Sequence, residues 1–352
     1  LGHFAAPAFA PVLLNLSIIG SVFFISPSLT PPVIGLAVGV LIGGFLQLVL
    51  QIPVLIKMGF YFWKEAKMIH PGLKRVGTLI PPVILGGAVY QINILIGTLL
   101  GSLLDQGSVT YLYFADRLVQ FPLGVFAIAT ATAVLPSLSR QAATGDLGML
   151  KDTFGQSLKL VFFITIPASI GLIILREPIV ALLFQRGEFD AQASRLTAQA
   201  LLYYSGGLGA FSAVRIVVAT FFALQDTRTP VKMACISIFV NIILGVVLMG
   251  PLAHGGLALA TSVASMLNLA LLLGALRTRL GSLGWKSIAQ SVCRSLLCSV
   301  VMGIAVHMTA LFMIPDKNST LPGLIGGVAG SIAVGFCIYG AGSYMIKSPE
   351  LS

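Results

Sequence analysis

The sequence predicts an all-α protein that crosses a membrane many times. Three observations carry that expectation. Apolar residues make up 57% of the 352 residues and charged ones 9%, with mean hydropathy +0.99. So few polar side chains cannot cover the surface of a soluble domain. The apolar residues come in runs near the roughly 20 residues that a spanning helix needs, not in the short alternating stretches of a β-barrel. The charges sit between the runs and are unevenly shared between the two sides.

Taken in order, ten apolar segments cover about 7–25, 31–57, 76–104, 108–138, 156–184, 194–223, 229–250, 255–276, 287–314 and 321–346. Several exceed one crossing, so tilt or kinks are expected. Pro81-Pro82 and Gly86-Gly87 in the third segment, Pro122 in the fourth and Pro167 in the fifth supply causes for kinks. If the first segment runs outward, one side holds Lys57, Lys64, Lys67, Lys74, Arg75, Arg140, Lys151, Lys159, Arg228, Lys232, Arg277, Arg279, Lys286, Arg294 and Lys347. The other holds only Arg176, Arg186, Arg195 and Lys317. Basic loops stay in the cytoplasm, so both ends of the chain are expected inside. The net charge of +10 then reflects these loops rather than a nucleic-acid partner. The aromatic and lysine-rich stretch 57–75 reads as an interfacial segment touching anionic membrane lipids, and 147–159 as a second short interfacial helix.

An internal echo runs through the chain. Gly35-Leu36-Ala37 followed by Leu46-Gln47-Leu48 reappears as Gly256-Leu257-Ala258 followed by Leu267-Asn268-Leu269. Each copy is preceded by a mid-span asparagine, Asn15 or Asn241, and then by Gly20 or Gly245. Repeated halves are a signature of transporters.

The chemistry concentrates in few residues. Asp116-Arg117 sits inside an otherwise apolar run, where a charge costs a few kcal/mol or more unless it faces protein or a watery cavity. Helical neighbours point about 100° apart, so the two are not an i,i+4 ion pair. Arg117 is expected to reach into a cavity, with Asp116 tuning it or pairing elsewhere. Arg215 is the second intramembrane cation. Guanidinium groups hold phosphate oxygens bidentately, so two facing one cavity would suit a pyrophosphate. Gln91 and Asn93 are expected to line a cavity, bind a cation or hydrogen-bond a neighbouring helix. Asp226, in Gln225-Asp-Thr-Arg-Thr-Pro230, reads as a helix cap or a cation ligand, and Asp190 or Ser194 as another cap. Cys235, Cys293, Cys298 and Cys337 read as small buried hydrophobes, and the four scattered histidines do not suggest a metal site. No nucleophile, Walker or metalloprotease motif is present, so an enzyme is not expected. Nothing in the sequence sets an oligomeric state.

Four stretches carry a resemblance. Tyr113-Phe-Ala-Asp-Arg-Leu-Val-Gln-Phe-Pro-Leu-Gly-Val, Ala131-Thr-Ala-Val-Leu-Pro-Ser-Leu-Ser139, Leu183-Phe-Gln-Arg-Gly-Glu-Phe and Gln225-Asp-Thr-Arg-Thr-Pro-Val-Lys resemble the MurJ (MviN) family. Its members flip lipid II in bacterial peptidoglycan synthesis. The resemblance implies a two-lobe transporter of the MOP exporter superfamily with fourteen helices, here lacking its first four. On that basis 1–58 would be the last two helices of the N-lobe and 59–75 a cytoplasmic interfacial loop. A six-helix C-lobe would occupy 76–280, and 281–352 would add two helices forming a lipid-tail groove. It further implies lipid II as partner, the bacterial inner membrane as location with the C-terminus cytoplasmic, and substrate contacts at Arg117, Asp116 and Arg215. Some members bind sodium between the helices matching segments three, seven and eight. Asn93 and Asp226 fall near that region, with Asn93 where a carboxylate is expected, so Na+ or another coupling ion is an expectation on the resemblance alone. A drug or polyprenyl-glycan exporter of the same superfamily, or a non-transporting scaffold, are the competing expectations.

Overall fold

The computed structural model describes residues 5–57, 91–314, 321–346, 348 and 350. Among these residues the regular structure is entirely helical, and eight helices are long and apolar enough to cross a membrane. The chain divides into two units, Leu1–Pro81 and Pro82–Ser352.

The first unit is a hairpin of α1 (Ala5–Phe24) and α2 (Val33–Lys57). Gly35, Gly39 and Gly43 recur every fourth residue on the face of α2 that meets α1. A Cβ on Gly35 would lie 2.2 Å from Ser26 Oγ, one on Gly39 2.7 Å from Ser21 Cβ, and one on Gly43 2.6 Å from Leu14 Cδ1. Hydrocarbon surroundings give helices no hydrophobic reason to associate, so such small-residue faces, which let backbones touch, hold them. One turn further on, Gln47 Nε2 donates to the Ala10 carbonyl at 3.0 Å.

The second unit begins, among the described residues, with α3 (Gln91–Ser102). A long helix follows: α4 (Ser108–Pro122), a π-helical stretch over Leu123–Ile128, and α5 (Ala129–Thr144). The wider turn starts where Pro122 interrupts the donor ladder, so the kink expected at this proline takes the form of a π insertion. Then come α6 (Leu147–Ile174), α7 (Arg176–Phe184), α8 (Ala191–Ala223), α9 (Arg228–Leu280), α10 (Trp285–Met313) and α11 (Leu321–Met345). The stretch 147–159 is therefore not a separate interfacial helix but the first turns of α6. Asp146 caps it by accepting from Met149 N, and the helix runs on without interruption through Pro167, where the sequence predicts a kink. The expected fifth segment instead divides at Leu175 into α6 and α7.

With 53 residues, α9 is too long for one crossing and breaks at Ala253 (φ 46°, ψ −133°), two residues after Pro251. Its arms are the expected seventh and eighth segments. At the break, a Cβ on Gly256 would lie 2.2 Å from the Leu248 carbonyl oxygen. The echo in the sequence thus marks two close approaches near the head of a returning helix: Gly35 against Ser26 in the turn that follows α1, and Gly256 against Leu248 in the first arm of α9.

The central post of the second unit is α8. Phe154, Leu138, Ile216, Phe221, Leu272 and Leu276 form a core around one half of it. Ala115, Val119, Val180, Leu201, Leu208 and Ala258 form a second core around the other. A third core, of Leu175, Met302, Val306 and Tyr339, joins α10 and α11 to α6 and α7, and Tyr339 Oη donates to the Phe163 carbonyl at 2.7 Å. The two C-terminal helices therefore belong to the same compact unit as α3 to α9. Of the cysteines only Cys298 is buried; Cys235, Cys293 and Cys337 are exposed on outward helix faces, which corrects the expectation of four buried hydrophobes. The interfacial segment and the paired prolines and glycines of the third segment lie outside the described residues.

Candidate functional site

Arg117 lies on the open face of α4. Ala115, Val119 and Pro122 turn inward, and Tyr113, Arg117 and Phe121, spaced every fourth residue, turn outward. Aromatic contacts fix this rotation at the head of the helix. Phe114 packs on Phe184 and Phe189 at centroid distances of 4.7 and 5.4 Å. On another side Tyr111 meets the edge of His254 at 5.5 Å. His254 is buried beside the break in α9, with Nε2 2.8 Å from the Leu196 carbonyl oxygen.

The Arg117 guanidinium sits 4.7 Å above the Tyr113 ring centroid, a cation–π contact worth about 0.5–2 kcal/mol. Its Nη1 also donates to Gln120 Oε1 at 3.3 Å. Gln120 in turn donates through Nε2 to Asp116 Oδ2. The adjacent Asp116 and Arg117 do not form a salt bridge; a neutral amide stands between them and holds both. Gln120 was not singled out by the sequence reading, although its i+4 and i+3 spacing from the two charged residues is the signal that finds it. Arg117 keeps most of its five donors unused and has no carboxylate partner among the described residues.

Arg215 is also exposed and forms no salt bridge among the described residues. It lines a groove of about 280 Å³ between α5 and α8, with Ile128, Thr132, Leu135, Val218 and Phe222. Thr132 lies fifteen residues beyond Arg117 along the same helix, so at about 1.5 Å per residue the two cations stand roughly 20 Å apart in depth. By helical rise the two arginines mark two levels along the packed α4–α5 and α8 helices.

Gln91 is exposed at the head of α3. Asn93 faces the first arm of α9, where its Oδ1 accepts from Asn241 Nδ2 at 2.9 Å. Just beyond is a cavity of about 40 Å³ lined by Tyr204, Asn241, Gly245, Thr261 and aliphatic side chains. No carboxylate is among its described lining residues.

Asp226 is far from that cavity. It is buried in the turn between α8 and α9, where Oδ1 accepts from Arg228 N at 3.1 Å and Thr229 N at 3.0 Å. Oδ2 accepts from Thr229 Oγ1 at 2.6 Å and from Arg279 at 2.8 Å. Burial pushes its pKa up, but the Thr229 hydroxyl and amide, the Arg279 charge and the Arg228 amide outweigh that and hold the carboxyl below its usual range. The cap reading fits this geometry. A cation at Asp226 does not, since its oxygens are already engaged by donors. Asp190 caps α8 by accepting from Ala193 N at 2.7 Å. Among the described residues no three His, Cys, Asp or Glu side chains gather where a metal ion could be held.

Eight helices long and apolar enough to cross a membrane, with the second unit packed around α8 and two arginines on its open faces that have no carboxylate partner among the described residues, define a multi-pass membrane protein. A solved multidrug-resistance MATE transporter of the MOP superfamily, 14% identical, shares the fold with a TM-score of 0.51 over 75% of this chain and 63% of its own. The family profile for the lipid II flippase MurJ matches residues 1–322, and the chain belongs to that family. It is 36% identical to the probable lipid II flippase MurJ of Vibrio cholerae over 95% of this chain and 65% of that protein. A solved lipid II flippase MurJ in an inward closed conformation, 26% identical, superposes with a TM-score of 0.80 over 98% of this chain and 68% of its own. The chain spans 65% and 62% of the length of the Vibrio cholerae and Haemophilus influenzae relatives, less than two thirds of each.

Proposed function

We propose that the intact protein to which this chain belongs flips lipid II from the inner to the outer face of the bacterial cytoplasmic membrane by alternating access. The C-terminus lies in the cytoplasm, a topology that the bias of the basic loops supports. Arg117 binds the pyrophosphate, steadied by Tyr113 beneath it and Gln120 beside it. Asp116, drawn to Gln120, leaves the guanidinium free for an external anion. Arg215, about 20 Å deeper by helical rise, offers a second cationic level along the same helix pair. The sugar–peptide head crosses in a hydrated space, and the polyprenyl tail stays in lipid beside α10 and α11. Moving a charged headgroup through the membrane makes the step sensitive to potential, which supplies a driving force.

The observation that carries this reading is Arg117 itself: an exposed guanidinium at membrane depth with no carboxylate partner among the described residues. Such a charge is tolerated where a cavity and an anionic ligand receive it. The test is complementation of a flippase-depleted strain by the full-length gene carrying Arg117→Ala or Arg117→Lys, with membrane insertion verified. Stable insertion of Arg117→Ala with lysis and lipid II retained on the cytoplasmic face is the expected result. Normal growth on Arg117→Ala would remove the anion-binding role and favour a scaffold.

A further inference from the structure

We propose that the cavity between α3, α8 and α9 is a water site that takes no cation, and that translocation by the intact protein proceeds without sodium at this position. The proposal rests on the flippase reading above and concerns how that transport is energised.

The residues decide it. A buried monovalent cation trades its hydration shell for the groups around it, which is favourable only with a countercharge or a full set of oxygen acceptors. Neither α3 nor α9 contains an Asp or Glu anywhere along its length. Asn93 Oδ1, the acceptor nearest to a carboxylate in shape, is engaged by Asn241 Nδ2 at 2.9 Å. Among the described residues, the polar groups on the wall are the Tyr204 hydroxyl, the Asn241 amide and the Thr261 hydroxyl. Thr261 already donates to the Leu257 carbonyl at 2.9 Å, so its oxygen is left to accept, whereas the Tyr204 hydroxyl has a proton to give. Three neutral oxygens, two of them on hydroxyls, suit a water molecule and fall short of the countercharge or full set of acceptors that a dehydrated cation needs. The size agrees: about 40 Å³ exceeds the roughly 10–15 Å³ that one water requires, and three polar groups match its usual two to four partners. Two carboxylates stand outside the described wall: Asp116 on α4, which acts on Tyr204 only through space and accepts from Gln120, and Asp226 at the foot of α9. The latter lies fifteen residues from Asn241, roughly 20 Å along the helix, and is engaged by its own donors.

Asn93→Asp makes the argument testable, because an aspartate keeps the acceptor for Asn241 Nδ2 and adds only charge. Thermal unfolding of the purified full-length protein is compared in equimolar NaCl, KCl and choline chloride. Wild type is expected to unfold at the same temperature in all three, and Asn93→Asp to become more stable in NaCl alone. A sodium-specific rise in wild type overturns the proposal. So does an Asn93→Asp protein that folds yet ignores sodium, since the missing carboxylate would then not explain the indifference. Transport separates this from the underlying reading. If wild-type lipid II exposure falls tenfold or more when sodium is removed while Arg117→Ala is inactive throughout, the water site fails and the flippase stands. If Arg117→Ala is fully active, the flippase reading fails whatever sodium does.

Discussion

Replacing Asp226 with alanine should unfasten the end of the α9 hairpin, and the structure allows the cost to be apportioned. Loss of the acceptor for Arg228 N and Thr229 N removes a helix cap worth about 1 kcal/mol. Loss of the partner of Thr229 Oγ1 adds about 0.5–1 kcal/mol. The bridge to Arg279 adds about 0.5–1 kcal/mol, kept low because the arginine side chain is 50% exposed. The sum is about 2–3 kcal/mol, a drop of several degrees in the unfolding temperature of the purified full-length protein. Asp226→Asn keeps an acceptor for the two amides and should lose about 1 kcal/mol. Arg279→Ala should lose less than Asp226→Ala, and the double variant should show a coupling of about 0.5–1 kcal/mol. Because the folded carboxyl titrates below its usual range, its stabilisation is complete above the ordinary aspartate pKa of about 3.9 and is lost as pH falls from there through the lower folded value. Acid unfolding below about pH 4 should therefore be shallower in Asp226→Ala than in wild type. If Arg279→Ala costs as much as Asp226→Ala, or if Asp226→Ala costs less than about 0.5 kcal/mol, the cap is not what holds this turn.

Three further outcomes follow from the geometry. Gln120→Met keeps the length of the side chain but frees Asp116 and unsteadies Arg117. It should reduce complementation about tenfold without lowering the amount of inserted protein, as the loss of hydrogen bonds to charged groups worth about 1.5–3 kcal/mol would; activity equal to wild type would show that the bridge is incidental. Gly256→Ala drives a Cβ into the Leu248 carbonyl, a backbone atom that cannot rotate away, and should cost about 1–3 kcal/mol. Gly274→Ala, with nothing within 4 Å, should be neutral or mildly stabilising in the same unfolding assay.

Much of this was legible in the sequence because it is local. Apolar runs fix crossings, Pro251 and the glycines after it announce a break, and Asp-Thr before Arg228 and Pro230 announces a cap. The echo of Gly35 in Gly256 was readable as pattern, though only coordinates show that each glycine makes a close approach. What escaped the sequence reading depends on distance. Arg279 meets Asp226 across the full return of α9, and no spacing rule reaches that far. Arg117 and Arg215 look alike as buried cations in a one-dimensional reading, and only the packing of α4 and α5 along α8 sets them at different depths. Gln120 was the reverse case: a local partner, passed over because an uncharged amide beside two charges draws little notice.

The π stretch after Pro122 also has a consequence for how this chain is mapped. An inserted residue shifts the phase of every later side chain by about 100°. A wheel drawn without interruption from Ser108 to Thr144 therefore assigns Thr132 and Leu135 to the wrong azimuth relative to Arg117. Cysteine-accessibility profiles along this helix should be fitted as two separate sinusoids joined at Leu123–Ile128, since a single period would blur the polar stripe of one half into the buried stripe of the other.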